Sequence, residues 1–272
     1  MEAPEFETLV YSVDEASGIA TVGIDRPQAM NAIDEQMQRE MIEMFAHLDA
    51  LDRAADGVAI SVVVLESESD RAFSSGLDLG EMDGLETHDD RKLIPDLFCE
   101  ATDAIEAYGA PVIAKIDGLC LGGGFEFAIA CDFRLASQRS TFGQPEVNFG
   151  LLPGGGAAQR LSTILGASQA KELCMTGQQF DAAEAHELGA LNEIHEADAL
   201  DEAVTTFAET LAGQPPLALR GIKDAINTTR QVGYEESLDY GGHIWVSLSQ
   251  TEDFAEGMAA FAEEREPEYV GR

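Results

Sequence analysis

Positive charge is scarce in this chain. Sixteen Lys and Arg stand against 51 Asp and Glu in 272 residues, giving a formal net charge of −35. A sequence-independent hold on nucleic acid needs clustered cations, so that class of function is excluded, and so is docking on anionic lipid. Cysteine is also sparse. Cys99, Cys120, Cys131 and Cys174 form no CxxC pair and read as small buried hydrophobes of a reducing compartment. No apolar run approaches the roughly 20 residues of a membrane-spanning helix. The start, MEAPEFETLV, lacks the basic and apolar regions of a signal peptide. These absences together lead us to expect a cytoplasmic protein.

Familiar catalytic signatures are missing as well. There is no GxSxG nucleophile elbow, no GxxxxGK[ST] phosphate loop and no intact GxGxxG. The five histidines (His47, His88, His186, His195, His243) show no HExxH or comparable spacing, so no metal site is expected. Only four of the cations are lysine, and the acids are spread along the chain rather than gathered in a tail. Such a surface suits a very salty cytosol, where screening over a few ångströms tames self-repulsion, and we expect a halophilic protein.

The chain does have 45% hydrophobic residues, enough for a large core. Residues 7–13 and 18–24 read as strands joined by a turn at 15–18. Met37, Met41, Met44, Phe45 and Leu48 mark a helix from Asp34 to about Arg53. Residues 60–65 and 112–116 read as buried strands, and 91–108 as a helix. This alternation predicts an α/β fold with a largely parallel sheet. The last third is nearly all helix, with segments at about 217–229, 235–248 and 252–264. Asp181–Glu184 and Ser249–Glu252 have the spacing of capping boxes. A boundary is expected near residue 200, and no internal repeat is visible.

Two glycine turns stand out. Leu121-Gly-Gly-Gly124 joins a buried strand to an apolar helix, and Pro153-Gly-Gly-Gly156 opens another. A glycine run can serve tight packing alone. At a helix N-terminus it also leaves peptide N–H groups free for a developing negative oxygen. Glu126 follows the first turn and Glu146 lies in Phe142-Gly-Gln-Pro-Glu146. Each reads either as an ordinary acid, matched to a helix dipole or solvated in a loop, or as half of an acid/base pair. In an apolar pocket the two pKa values would separate, letting one carboxyl give a proton and the other take one.

These residues resemble the crotonase (enoyl-CoA hydratase/isomerase) superfamily. The resemblance runs through Arg26–Ala32, Ala72–Asp78, Pro111–Gly118, Leu121–Glu126, Cys131-Asp132, Phe142–Glu146, Leu152–Gly154 with Gln159–Leu161, and Glu256–Phe261. It implies a core of repeated ββα units in a spiral over residues 1–200, binding acyl-CoA, and a helical trimerisation region over 201–272. A homotrimer or homohexamer is the implied assembly. The resemblance places the two oxyanion-binding amides at Leu77 and Gly123, the acid/base pair at Glu126 and Glu146, and a water-holding amide at Gly154. Asp78 is expected to stabilise its loop.

Hydration of a 2-enoyl-CoA to 3-hydroxyacyl-CoA is the implied reaction. A double-bond isomerase, needing one glutamate at the place of Glu146, or another acyl-CoA lyase is the alternative. An RNA-binding member of the superfamily is disfavoured by the charge. No cofactor is implied beyond coenzyme A as part of the substrate. Ala32, Ser75 and Arg71 fall at coenzyme A contacts. Gln28, Gly80 and Glu264 stand where relatives carry cations for the phosphates, and Trp245 and Phe261 match aromatic positions near the adenine, reading equally as helix-interface core. The acyl chain is expected against the loop and helix from about Gly80 to Phe98, where Met82, Leu85, Leu93, Leu97 and Phe98 read equally as an apolar tunnel lining or as core at helical spacing.

Overall fold

The computed structural model describes residues 4–272. Strands and helices alternate in its first part: β1 (Leu9–Asp14), β2 (Ile19–Ile24), α1 (Glu35–Ala54), β3 (Val62–Ser67), β4 (Ala72–Ser74), α2 (His88–Ala107), β5 (Val112–Ile116), β6 (Leu119–Leu121), α3 (Gly123–Ala130), β7 (Phe133–Ser137) and β8 (Thr141–Gly143). Helices then dominate: α4 (Ala157–Ile164), α5 (Ala167–Thr176), β9 (Gln179–Asp181), α6 (Ala182–Glu187), β10 (Glu193–His195), α7 (Leu200–Ala212), α8 (Pro216–Thr228), α9 (Tyr234–Leu248) and α10 (Glu252–Glu263).

The strands form two sheets, ordered β1-β2-β3-β5-β7-β10 and β4-β6-β8-β9. Pairing is parallel except for β1 with β2 and β8 with β9. Three successive units (β3-β4-α2, β5-β6-α3, β7-β8-α4) each give one strand to the large sheet, one to the small sheet and then a helix. This is the ββα spiral that the resemblance implies. The repeat is structural only, because each turn fills a different part of the core with different side chains.

Period-two alternation fixes the faces of the large sheet. Val63 and Leu65 point into the main core with Val112, Ala114 and Ala136. Val62 and Val64 point the other way, onto Leu200, Val204 and Ala208 of α7. The boundary expected near residue 200 thus falls at the start of a helix that covers the outer face of this sheet. Further on, Arg220 pairs with Asp52 at 2.7 Å and Lys223 with Asp132 at 2.7 Å, tying α8 to the core. Trp245, Phe254 and Phe261, on α9 and α10, are exposed.

Two helix ends depart from expectation. α2 begins at His88 because Thr87 and Asp90 form a reciprocal capping box, which the apolar periodicity did not mark. Ser249–Glu252 is not a capping box. Ser249 closes α9, and Thr251 caps α10 by accepting from the Phe254 N–H at 3.1 Å. Asp181 does cap α6, accepting from the Glu184 N–H at 2.9 Å.

Candidate active site

Parallel pairing of β4, β6 and β8 brings their C-terminal ends to one edge of the small sheet. The segments leaving that edge are 75–78, 122–126 and 144–146, so three stretches distant in sequence become neighbours. Leu77, Gly123, Glu126, Glu146 and Gly154 all line one cavity of about 870 Å3.

The two expected oxyanion amides are built from strained turns. Gly76 (φ +100°) and Gly122 (φ +50°) adopt left-handed backbone that favours glycine. The turns touch: a Cβ on Gly76 would lie 2.9 Å from the Leu121 carbonyl and 3.5 Å from the Gly123 nitrogen. A third segment straps them in place. Ile33 donates to the Gly76 carbonyl and accepts from the Asp78 N–H, each at 2.8 Å. Asn31, buried at φ +53°, anchors that strap by donating to Ser67 Oγ at 2.7 Å and to the Ala72 and Phe73 carbonyls. Neither the Leu77 nor the Gly123 N–H donates to another group among the described residues. The N-terminus of α3 adds its dipole at Gly123. A side chain at Gly123 would collide with the Phe98 ring, 2.3 Å from the position of its Cβ.

Glu126 is buried in the first turn of α3. Its Oε1 accepts from the N–H groups of Gly155 at 2.8 Å and Ala157 at 3.0 Å. Burial pushes its carboxyl up to about 7, with the nearby Glu146 adding to the rise while the two amides and Arg160 oppose it. Glu146 lies at the start of a 3-10 turn (Pro145–Phe149) beside Gly122, where a Cβ would sit 2.9 Å from its Oε1. Burial raises its carboxyl too. Turned so that its NH2 faces this carboxylate, the fully buried Gln144 donates to both Glu146 oxygens, at 2.9 and 3.0 Å. The site therefore holds two carboxyl groups that burial makes slower to give up a proton, beside two free peptide donors. The Gly154 N–H also has no partner among the described residues, and its carbonyl accepts from Cys99 Sγ at 3.2 Å.

Met82, Leu85 and Phe98 line the cavity as expected, but Leu93 and Leu97 do not. Leu93 is exposed and Leu97 packs inside. The reason is the helical phase of α2, which instead turns Ile94 and Pro95 toward the cavity. Sequence reasoning also missed Leu151 and Leu152, whose apolar side chains in a loop were the available signal. Asp78 caps its turn, accepting from the Gly80 N–H at 3.0 Å and pairing with Arg26 at 2.9 Å.

The expected coenzyme A contacts lie outside the cavity lining. Gln28 is exposed and Ser75 half-buried. Arg71 is exposed and makes no ion pair among the described residues. The Ala32 N–H and carbonyl are both engaged, with the Ala29 carbonyl at 3.0 Å and Arg26 Nη1 at 2.8 Å. Trp245 and Phe261 stand in solvent, 68% and 85% exposed, and do not line the cavity. Among the described residues, no cluster of His, Cys, Asp and Glu is arranged to hold a metal ion, and no helix is long and apolar enough to cross a membrane.

Comparison with known proteins agrees with this geometry. A probable enoyl-CoA hydratase of Rhizobium meliloti is 35% identical over 267 residues, covering 98% of this chain and 99% of the relative. A crotonyl-CoA hydratase of Syntrophomonas wolfei is 32% identical with the same coverage. Among solved structures, an enoyl-CoA hydratase of Bacillus anthracis superposes with a TM-score of 0.89 at 30% identity, covering 96% of this chain and 99% of that one. A Geobacillus kaustophilus structure of the same description reaches 0.92 at 27% identity, covering 99% and 98%. Residues 14–272, nearly the whole length and every element of the site, match the family described as enoyl-CoA hydratase/isomerase, and the chain belongs to that family.

Proposed function

We propose that this chain adds water across the 2,3 double bond of a 2-enoyl-CoA thioester to give 3-hydroxyacyl-CoA. The observation that carries the reading is the meeting of two buried carboxyl groups, Glu126 and Glu146, with two unpartnered peptide N–H groups, Leu77 and Gly123, around one cavity. The thioester oxygen accepts from the two amides, which stabilise it as negative charge develops. Glu126 takes a proton from water as the water oxygen bonds to C3, and Glu146 gives its proton to C2. The net change is one water added, and the proton returns between the two carboxyls through solvent. The Gly154 N–H helps hold the water. An isomerase would need only Glu146, leaving Glu126 buried at a cost with no task.

For coenzyme A, the exposed guanidinium of Arg71, without an ion pair among the described residues, supports phosphate contact, and Gln28, Ala32 and Ser75 are the further contacts that the resemblance implies. The exposed Trp245 and Phe261 suit the adenine of a substrate held by a neighbouring subunit. The apolar surface on α8 to α10 supports assembly as a homotrimer or homohexamer. The four free cysteines support a reducing, cytoplasmic location.

The test is hydration of crotonyl-CoA by the purified chain in concentrated KCl, followed by loss of the conjugated-thioester absorbance, with Glu126→Gln and Glu146→Gln alongside. Turnover that collapses in both variants is expected. Turnover that survives Glu126→Gln but not Glu146→Gln would overturn hydration in favour of one-glutamate chemistry.

A further inference from the structure

The turn that holds Glu126 has a second side, and a buried arginine occupies it. Three peptide planes follow one another there. The 154–155 and 156–157 planes give their N–H groups to Glu126 Oε1 at 2.8 and 3.0 Å. The plane between them, 155–156, turns its carbonyl away from Glu126 and onto Arg160, in the first turn of α4. Arg160 Nη1 donates to that carbonyl at 2.6 Å, and the Thr102 hydroxyl lies 3.0 Å from it. Arg160 Nη1 also donates to Thr102 Oγ1 at 3.2 Å.

Glycines at 154, 155 and 156 leave the backbone free to rotate, so the chain itself does not fix where these N–H groups point. Close contacts do. Gly156, at φ +91°, passes so near that a Cβ would lie 2.6 Å from Arg160 Nη1. A Cβ on Gly155 would lie 3.0 Å from Glu126 Oε2. The guanidinium is held in turn by Asp103 at 2.7 Å and Glu106 at 2.9 Å, both on α2. Glu106 also pairs with Arg230, beyond α8.

We propose that Arg160 is a positioning residue for Glu126: by fixing the 155–156 peptide it keeps both neighbouring amides on the Glu126 carboxylate and so holds that group at its reacting place. The assignment rests on the reading of Glu126 as a reacting carboxyl. A purely structural arginine would contribute to stability alone. A positioning arginine also acts on Glu126, both through the turn and through its charge, which favours the ionised carboxylate.

The experiment compares Arg160→Met, Arg160→Lys and Thr102→Val in the full chain with the parent, after circular dichroism confirms folding. For Arg160→Met, kcat for crotonyl-CoA hydration should fall by about 10²-fold, the loss typical of a reacting group displaced by about 1 Å. KM should hardly move, and the limb of the kcat profile that reports Glu126 ionisation should shift to higher pH. Arg160→Lys should recover part of kcat, since an ammonium still reaches the Gly155 carbonyl. Thr102→Val, a gentler change, should move kcat in the same direction by less and keeps the proposal testable should Arg160→Met fail to fold.

A substrate-free arm separates this inference from the hydratase reading. The Glu126 carboxyl carbon, labelled with 13C and assigned by its absence in Glu126→Gln, should titrate at higher pH in Arg160→Met than in the parent. That shift in a parent without hydratase activity would leave the positioning role standing and remove the function. A parent-like titration and parent-like kcat in a folded variant would overturn the positioning role, whatever the reaction.

Discussion

Replacing Glu126 with glutamine should stabilise the protein while destroying its activity. The carboxyl is buried, and its pKa is raised from an ordinary 4.5 to about 7. Between those values the folded chain binds this proton more tightly than the unfolded chain does. Stability therefore falls as pH rises through that window, and the loss is complete above the folded pKa. At 1.36 kcal/mol per pKa unit, an ionised Glu126 costs the fold about 3 kcal/mol at pH 8 and less than about 1 kcal/mol at pH 5. Glutamine keeps an oxygen to accept from Gly155 and Ala157 and carries no charge, so it escapes this cost.

The assay is thermal unfolding of parent and variant at pH 5 and pH 8, at one protein concentration and one high salt concentration. The gain should widen with pH to about 5 °C at pH 8, from the usual entropy of unfolding for a chain of this size. A gain that is the same at both pH values, or that shrinks as pH rises, would refute the argument that burial sets this carboxyl.

Three further outcomes can be measured. Gly123→Pro removes the Gly123 N–H and, like Gly123→Ala, sets a Cβ against the Phe98 ring, so kcat should fall by about 10²–10³-fold relative to Gly123→Ala, with both variants checked for folding by circular dichroism; equal turnover in the two would contradict the role of that amide. Gln144→Leu takes away both side-chain donors to Glu146, raising that carboxyl further and lowering kcat by about tenfold or more; the check is the pH profile, whose limb from Glu146 should move to higher pH. Dilution from concentrated KCl into low salt should unmask the repulsion among 51 acids and unfold the chain, read by far-UV circular dichroism; an unchanged spectrum would sink the halophilic expectation.

The long elements were legible from sequence because apolar spacing marks them. Met37 to Leu48 announced α1, and Val112 to Ile116 announced β5. The small sheet was not, since its strands are three residues long and carry no period of their own. The spiral was visible only through resemblance, because its turns share a path and not a sequence. Of the site, the glycine turns and the two acids could be picked out from residue type and context. Their convergence depends on parallel pairing across separations that no local pattern records. The start of α2 and its facing toward the cavity were missed for one reason: a polar cap at Thr87 and the phase of a helix around Pro95 are set by side-chain bonds and packing rather than by hydrophobic count. Arg160 looked like an ordinary cation within a motif until its partners appeared on a helix more than 50 residues away.

The small sheet has a consequence for how such a molecule can change. Its three parallel strands are rails that end together, each delivering one loop from a separate turn of the spiral. The loop after β4 brings one free peptide N–H, the loop after β6 another with a carboxyl, and the loop after β8 a second carboxyl. The rails pair with one another, and α3 packs on both β4 and β6, so the three loops are held as one unit. Met82 and Leu85 line the cavity from outside this unit, so the space open to a substrate can change while the three loops keep their places.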